Sequence, residues 1–487
     1  MAAAGRRVLI SGASVAGPVL AYWLNRFGYQ PTVVERTEEL RFGSGGHAVD
    51  LFGPALQIIE WMGALPQVHD AGTHTEIISF IREGHRAIDV PAELGSEGVS
   101  ARHVEIMRGE LAKIIYEAGR DDVEYVFGDS ISWLEEAEDG VGVAFEHGSR
   151  RTFDLLVGAD GLHSITRRLA FGEEYQFLHF LGGYLAVFTV PNYLDLHQRM
   201  LGYGDIGRTA AIYPVHGTDE ARVLLLWRTP TLHDYDRRNL AAERSLIRNL
   251  YSDMGWEVPR LLAELENADD LYVDSISTIV MDTWTRGRVT LVGDAGYSPG
   301  PAVGGGTSLA LVGAYVLACE LAATSGDHGR GLEAYEQALR PAVQQSRRIG
   351  PAVMKMLIPN SRMQLWALAQ AMWLLPRVPR PIRRALTSYG GRTRSHAGCR
   401  QAAQSKLPVT AVGGKARAAT DSSVSWRART ATCSRVISTP VLANDPSRPP
   451  RGAASTTVLP NVPPFGLLRR SASQPGLRPS RVNSDSI

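Results

Sequence analysis

A glycine-rich turn near the N-terminus constrains the fold of this chain more than any other feature. The apolar run Arg7–Ser11 is typical of a buried strand, and it leads directly into the turn GASVAG at residues 12–17. A helical pattern follows over residues 18–27, and Pro31–Glu35 is typical of a second strand. A strand, a tight turn, a helix and a second strand in this order form a βαβ unit, which builds a parallel sheet. The sequence therefore predicts an α/β fold.

The residues of this turn suit a dinucleotide phosphate. Gly12 permits the tight turn from strand to helix, and Gly17 lets the helix pack closely on the strand. Ser14 stands where the dinucleotide fingerprint has its middle glycine, and its side chain is small enough to admit phosphates. Val15 and Ala16 complete the turn just before the predicted helix, whose free N–H groups and positive dipole end face the turn. The turn therefore predicts a pyrophosphate site.

A carboxylate follows at the distance that this interpretation requires. Glu35 lies 23 residues after Gly12, at the end of the second strand, where it can accept hydrogen bonds from a ribose. Arg36 beside it can lie over the face of an adenine. A glycine turn alone also begins many structural helices, but the strand, turn, helix and acid together predict dinucleotide binding.

Two further motifs lie at the ends of predicted strands. With the turn GASVAG as the first motif, the second motif is GADGLHSITR at residues 158–167 and the third is GDA at residues 293–295. The third motif is followed by PGP at 299–301 and by GGG at 304–306. An aspartate in this position can bind a ribityl hydroxyl, the glycines admit a flat ring, and the next helix directs its N-terminus at the polar edge of that ring.

In this combination the chain resembles the class A flavoprotein monooxygenases, the family of para-hydroxybenzoate hydroxylase, and within it the tetracycline-modifying branch. The resemblance rests on GASVAG with Glu35 and Arg36, on DGLHSITR and on GDAGYSPGPAVGGG, and it covers residues 8 to about 320. It implies bound FAD, NAD(P)H as co-substrate, and hydroxylation of a small aromatic or polyketide-like substrate through a flavin C4a-hydroperoxide. The flavin would carry the chemistry, so no catalytic side chain and no metal is expected.

The resemblance also implies roles for single residues. Asp294 would bind the ribityl chain of FAD, and Asp160 would serve both FAD and NAD(P)H. Arg108, in MRGEL, matches the arginine of the R-x-x-L helix that contacts FAD in the family. The stretch GHAVDL at residues 46–51 is similar to the one that runs beside the flavin, which makes Asp50 a flavin contact. The remaining implied contacts are glycines of the third motif, namely Gly293, Gly304 and Gly306.

Two positions differ from the family pattern. Ser14 replaces the usual glycine, and Tyr297 stands where the family usually has a histidine. Any role of that histidine is therefore absent here or taken by another residue.

The expected architecture is a Rossmann-like FAD-binding domain of the glutathione reductase type, with an inserted β-sheet substrate domain and C-terminal helices. We place the FAD-binding domain at residues 1–172, with small hairpin insertions, and the substrate sheet at 173–285. Residues 286–390 return to the FAD-binding domain and add the C-terminal helices. Segments 123–127 and 141–145 are expected to form an antiparallel hairpin region. Aromatic residues on strands of the middle segment are candidate substrate contacts: Tyr184, Tyr213 and Trp227.

Residues 391–487 have a different composition. They contain 15 Lys or Arg against three acidic residues, and only two aromatic residues. Because such a segment cannot bury enough apolar surface to offset chain entropy, we expect it to be disordered. A shifted reading frame in a GC-rich gene would produce an amino-acid composition of the same kind. The rest of the chain has 36 basic and 47 acidic residues, so it is a poor nucleic-acid partner.

The remaining features favour a cytoplasmic enzyme. Cys319, Cys399 and Cys433 cannot form a disulfide framework and lack metal-ligand spacing. The N-terminus has no signal-peptide pattern. The apolar stretch 304–323 contains Glu320, so we expect a buried helix rather than a membrane span. The expected partners are a small aromatic substrate and O₂, without nucleic acid or stable membrane insertion.

Three other functions suit a similar fold. A flavin-dependent halogenase uses a lysine near its substrate and a Trp-x-Trp-x-Ile-Pro stretch. Here Trp284 stands alone, and Lys113 and Lys355 fall in helical patterns. The second function is that of a flavoprotein reductase, and the third is that of a ligand-sequestering flavoprotein without turnover. Reduction of the flavin by NADPH and the mass of the product distinguish all of them.

Overall fold

The computed structural model describes residues 5–40, 46–96, 100, 102–232, 239–301, 305–324 and 327–379. The tail predicted at 391–487 and the last part of the segment predicted at 286–390 lie outside these ranges.

Eighteen strands form four sheets in these ranges. The strands are β1 Arg7–Ser11, β2 Gln30–Glu35, β3 Ala48–Phe52, β4 Ile77–Ile81, β5 Ile88–Pro91, β6 His103–Met107, β7 Glu124–Phe127, β8 Ile131–Ala137, β9 Gly140–Phe145, β10 Arg151–Phe153, β11 Leu155–Gly158, β12 Leu178–Pro191, β13 Arg199–Asp205, β14 Arg208–Pro214, β15 Glu220–Arg228, β16 Tyr272–Ile279, β17 Thr285–Arg286 and β18 Val289–Leu291.

Twelve α-helices accompany them in the described part of the chain. The helices are α1 Ala16–Arg26, α2 Gly53–Trp61, α3 Leu65–Asp70, α4 Glu93–Ser96, α5 Arg108–Glu117, α6 Ile165–Phe171, α7 Leu240–Tyr251, α8 Val258–Leu265, α9 Asp294–Tyr297, α10 Gly306–Ala323, α11 His328–Leu357 and α12 Arg362–Leu374. Short 3₁₀ turns lie at Arg120–Asp122, Glu174–Gln176 and Leu375–Arg377.

The six-stranded sheet contains the βαβ unit that the sequence predicts. Its strand order is β17-β18-β11-β1-β2-β7, and β1 pairs in parallel with β2 and β11. Its central strands are apolar because helices such as α1 and α10 cover them. The α/β fold is thus confirmed. The expected antiparallel hairpin region is confirmed for 141–145, because β9 pairs antiparallel with β8 and β10. It is wrong for 123–127, because β7 pairs in parallel with β2.

The seven-stranded sheet includes two strands from the N-terminal part of the chain. Its order is β16-β12-β15-β14-β13-β4-β5, and β13 pairs in parallel with β4, with Arg199 opposite Ile77. The expected domain boundary at residue 172 therefore leaves β4 and β5 on the wrong side. No local pattern reveals a pairing between strands that lie more than 100 residues apart.

Different helices pack on the two faces of the seven-stranded sheet. Tyr184, Ile212 and Trp227 face α7 and α8 in one apolar core. On the opposite face, Leu185 and Leu226 pack on the C-terminal end of α11, and Phe80 packs on α12. A smaller antiparallel sheet, β3 with β6, lies beside α2 and α10.

Helix α10 is apolar on all sides. By length and composition it could cross a membrane, but most of its residues are buried inside the protein. It packs on α1, α2 and α11, and Cys319 lies within this core. It is the buried helix that the sequence predicts.

Candidate active site

The turn after β1 accepts only glycine at its two ends. Gly12 has a φ of +105°, and a Cβ atom there would lie 2.5 Å from the Ala159 carbonyl oxygen. A Cβ atom on Gly17 would lie 1.9 Å from the Gly12 carbonyl oxygen. The turn therefore packs against the end of β11, and α1 begins directly after Val15, which makes no side-chain cap. The free N–H groups of α1 suit an anion.

Glu35 closes this turn from the end of β2. Its Oε2 atom accepts a hydrogen bond from the Ala13 N–H at 2.8 Å, and Oε1 accepts two from Thr37 at 3.1 Å each. The Oε2 atom, which accepts one hydrogen bond, has a second lone pair, so it can also accept a ribose hydroxyl. Arg36, the next residue, is exposed.

Ser14 and Arg108 meet at the mouth of the turn. The guanidinium of Arg108 donates from Nε and Nη2 to Ser14 Oγ at 3.3 and 3.1 Å. Arg108 is the first residue of α5 and is exposed. The serine that replaces the usual glycine therefore orients a cation at the predicted pyrophosphate site.

Strand β3 is fixed between β6 and α10. The carboxylate of Asp50 lies 2.7 Å from His103 Nε2, and Ser308 Oγ donates to the Asp50 carbonyl oxygen at 3.0 Å. The Phe52 N–H donates to the same Ser308 oxygen at 3.0 Å. These contacts hold the predicted flavin-side stretch against the N-terminal turn of α10. His103 and Ser308 are site residues that the sequence reasoning missed.

The charge of Arg108 also acts on His47 and Asp294. Burial lowers the pKa of His47 to about 4; Arg108 adds to this effect and Asp50 opposes it. Asp294 is accessible to solvent, yet the surrounding protein removes enough water from its carboxylate to raise its pKa. The charge of Arg108 and a hydrogen bond from Ser298 act in the opposite direction. Three predicted segments therefore converge on one guanidinium.

The glycines around Asp294 bring the remaining segments together. Gly293 has a φ of +67°, and a Cβ atom there would lie 3.4 Å from Ala16 Cβ and 3.1 Å from Ala310 Cβ. A Cβ atom on Gly306 would lie 3.9 Å from Asp294 Oδ1. The third motif thus touches the first turns of α1 and α10. Gly304 lies outside the described residues.

Asp160 has a structural set of partners. Its carboxylate accepts hydrogen bonds from Ser164 Oγ at 2.5 Å, from the Thr166 N–H and Oγ1 at 2.9 Å each, and from Ser11 Oγ at 3.4 Å. These bonds fix the start of α6 to the end of β1. The side chain is directed at protein donors and positions the loop that it begins; its contact with FAD and NAD(P)H stays a prediction.

Arg167, seven residues after Asp160, is a buried link that the sequence reasoning did not single out. Its guanidinium is fully buried and donates to the carbonyl oxygens of Ala295 and Leu162 at 2.9 and 2.7 Å, and to Glu174 at 2.8 Å. Since Ala295 follows Asp294, Arg167 fixes the short helix α9 that presents the Asp294 carboxylate. Its position in DGLHSITR, on the buried side of a helix, was the feature of the sequence that could have indicated this role.

His163 extends this network to the seven-stranded sheet. Its Nδ1 atom lies 2.8 Å from Glu174 Oε1, and its Nε2 atom lies 3.2 Å from Asp274 Oδ1. Tyr272 donates to the same aspartate at 2.6 Å. The second motif therefore joins the two large sheets.

The three candidate substrate residues do not share one face. Tyr184 and Trp227 are stacked at 5.6 Å between ring centroids and are each 2% exposed, in the core against α7 and α8. This position argues against the predicted substrate contact of Tyr184 and Trp227. Tyr213 points to the opposite face, where its hydroxyl oxygen accepts a hydrogen bond from the Ala48 N–H at 3.1 Å. Which face an aromatic side chain takes depends on strand register, which composition does not determine.

The arrangement fits FAD. Glycines that tolerate no Cβ atom line the turn at the start of α1, a carboxylate ends β2, and an accessible aspartate lies at the start of α9. A dinucleotide needs these features in this order. In the described part of the chain no group of His, Cys, Asp and Glu could hold a metal ion.

Comparisons with known proteins agree with this fit. A family model described as "FAD binding domain" matches residues 6–348. An uncharacterized protein of Mycobacterium tuberculosis (strain ATCC 25618 / H37Rv) is 42% identical over 345 residues, which are 70% of this chain and 92% of that protein. A flavin-dependent monooxygenase from an unknown prokaryotic organism is 36% identical over 346 residues, 71% of this chain and 88% of its own.

A solved structure is similar over the same region. The crystal structure of tetracycline destructase Tet(55) has a TM-score of 0.68 and 33% sequence identity, and the match covers 80% of this chain and 98% of that one. Together with the geometry, these matches show that the chain belongs to the FAD-binding-domain family and is an FAD-dependent monooxygenase.

Proposed function

We propose that this enzyme uses NAD(P)H and O₂ to hydroxylate a planar, electron-rich aromatic or polyketide-like substrate. One atom of O₂ enters the substrate and the other leaves as water, while NAD(P)H supplies two electrons. When bound, FAD supplies this redox chemistry. The observation that carries the proposal is the convergence of Ser14, His47 and Asp294 on Arg108.

The protein's part in this reaction is to hold and orient the cofactor. The turn from Gly12 to Gly17 and the N-terminus of α1 would bind the pyrophosphate, with Arg108 neutralising its charge. Glu35 would bind the adenosine ribose, and Asp294 would bind the ribityl chain. The flat ring would lie beside β3 and the N-terminal turn of α10, which Ser308 holds together.

The substrate would lie on the Tyr213 face of the seven-stranded sheet. Gly202 is on this face, because its neighbours Leu201 and Tyr203 belong to the opposite core. It pairs with Ala211, two residues before Tyr213, and a Cβ atom on Gly202 would meet no atom within 4 Å. Space therefore opens on this face close to β3, where a planar molecule could meet the flavin. The similarity to tetracycline destructase supports a polycyclic substrate of this kind.

Turnover by the FAD-loaded protein tests the proposal. Aerobic consumption of NADPH or NADH is measured against a panel of phenols and polyketide aromatics, and products are weighed by mass spectrometry. A gain of 16 mass units in a product supports the proposal. A chlorinated product, a merely reduced product, or a flavin that neither nicotinamide reduces contradicts it.

A further inference from the structure

Helix α12 leaves a stripe of large apolar side chains uncovered. Met363 is 76% exposed, Trp366 64%, Trp373 49% and Leu374 52%. They make up four of the ten exposed large apolar residues in the described ranges. We call these four residues the α12 stripe. Such concentration marks an interaction surface rather than scattered exposure.

The other side of α12 is firmly packed. Leu365, Ala369 and Met372 pack against the sheet residues Phe80 and Val90. Residues three or four positions apart share one side of a helix, so this packing fixes the direction in which the α12 stripe points. A helix that carries large apolar side chains on two sides and is covered on only one leaves the other side for an apolar partner.

Positive charges surround the α12 stripe. Arg362 at the start of α12 and Arg377 just after its end are exposed, as is Lys355 in the last turn of α11, and the chain has no Asp or Glu between Glu336 and Asp421. The Arg377 guanidinium lies 4.1 Å from the centroid of the Trp373 ring. On the neighbouring elements, Asp89 of β5 is paired with Arg199 at 3.0 Å, and Glu93 lies on α4. The surface is therefore apolar at its centre and basic at its rim.

A small cavity adjoins the α12 stripe. It has a volume of about 240 Å³ and is lined by Arg82, Ile88, Gln370 and Trp373. Arg82 Nε has no hydrogen-bond partner among the described residues. Guanidinium and amide donors beside a tryptophan suit an anionic headgroup whose acyl chains contact the ring.

The positive charges argue against two other partners for the α12 stripe, namely the C-terminal segment of the same chain and a second copy of the chain. Residues 391–487 of the same chain carry 15 basic and three acidic residues, so they are repelled by a basic rim. A second copy would bring the same positive charges to the contact, because a two-fold interface pairs each patch with itself.

We propose that the α12 stripe docks this enzyme on the surface of an anionic lipid bilayer. Tryptophan, methionine and leucine would enter the interface, while Lys355, Arg362 and Arg377 would meet acidic headgroups. The helix would lie in the plane of the membrane and would not span it.

Vesicle binding by the full-length, FAD-loaded protein tests the proposed docking on an anionic bilayer. Phosphatidylcholine vesicles with 30% phosphatidylglycerol are compared with pure phosphatidylcholine by co-sedimentation. We expect clear binding only to the anionic vesicles, weakened in 0.5 M salt. Arg362→Gln should weaken it about fivefold. Replacing Met363 and Trp366 together by serine should weaken it about tenfold or more.

The tail could also attract anionic vesicles, so the serine variant, which keeps the tail, is the decisive comparison. Trp133→Ser, at an exposed tryptophan of β8, is the matched control and should bind like the wild type. Equal binding by wild type and the Met363/Trp366 variant would overturn the proposal. A concentration-dependent dimer that this variant abolishes would overturn it in favour of a second copy. Equally tight, Trp366-independent binding to soluble polyglutamate would overturn it in favour of an acidic macromolecule.

Discussion

The hydroxyl oxygen of Ser14 accepts two hydrogen bonds from the Arg108 guanidinium, at 3.3 and 3.1 Å. The pair joins the turn after β1 to the start of α5, two elements that are 94 residues apart in the chain. Because the charge of Arg108 also opposes the rise that burial causes in the pKa of Asp294, one cation links the predicted pyrophosphate and ribityl contacts.

This relationship predicts a coupled effect on FAD affinity. Arg108→Met should weaken FAD binding about ten- to a hundredfold, since it removes a charge-assisted contact. Ser14→Gly should weaken binding less than about fivefold, and should have no further effect in the Arg108→Met background. Titration of FAD into the four apoproteins, followed by flavin fluorescence, measures the coupling. Equal effects of Ser14→Gly in both backgrounds would show that the contact plays no part.

Asp294→Ala should release flavin. The carboxylate is the one predicted ribityl contact, and loss of a hydrogen bond to a charged acceptor weakens binding about ten- to a hundredfold. The flavin-to-protein ratio after purification reports the loss. Asp121→Ala, at an exposed side chain of the 3₁₀ turn Arg120–Asp122, serves as the control and should keep its flavin. Full occupancy in Asp294→Ala would mean that the third motif has another role.

Gly202→Leu should impair substrate turnover and leave FAD content unchanged. The new side chain would fill the space on the Tyr213 face, which should lower kcat/KM about tenfold or more. Gly202→Ala should have a smaller effect, so the series is graded by volume. NAD(P)H consumption and hydrogen peroxide release are measured with each variant. Unchanged kcat/KM in Gly202→Leu would place the substrate elsewhere.

His47 should make the protein less stable in mild acid. Its native pKa is about 4, while an unfolded histidine titrates near 6.5. Between these values the unfolded state binds the proton and the native state does not, so the free energy of unfolding falls as the pH falls.

Unfolding at pH 7, 6 and 5 measures this contribution. The wild type should lose stability relative to His47→Asn as the pH falls, while His69→Asn, at an exposed residue of α3, should not change the trend. A constant difference between wild type and His47→Asn would contradict the expectation.

Local features of the fold could be predicted from the sequence, because they depend on neighbouring residues. Gly12 and Gly17 have steric reasons to be glycine, and β1 occupies Arg7–Ser11 as predicted. Non-local features could not be predicted. The pairing of β4 with β13, the inward face of Tyr184 and Trp227, and the contacts of Arg167 all depend on residues far along the chain.

The candidate site also divides into local features, which the sequence predicts, and contacts between distant residues, which it does not. The motifs identified the glycines and carboxylates, whose chemistry is local. They did not show that the Asp160 carboxylate accepts hydrogen bonds from Ser164 and Thr166, or that Ser14 accepts a hydrogen bond from Arg108. Such partners are known only once the helices are placed against one another.

Isotope labelling tests the central claim most directly. The FAD-loaded enzyme is supplied with NAD(P)H and a substrate from the panel under ¹⁸O₂ in ordinary water, and the product is weighed. We predict a product that is 18 mass units heavier than the substrate, with its new oxygen drawn from O₂. A product that carries only ¹⁶O from water, or no new oxygen, would contradict the proposed reaction.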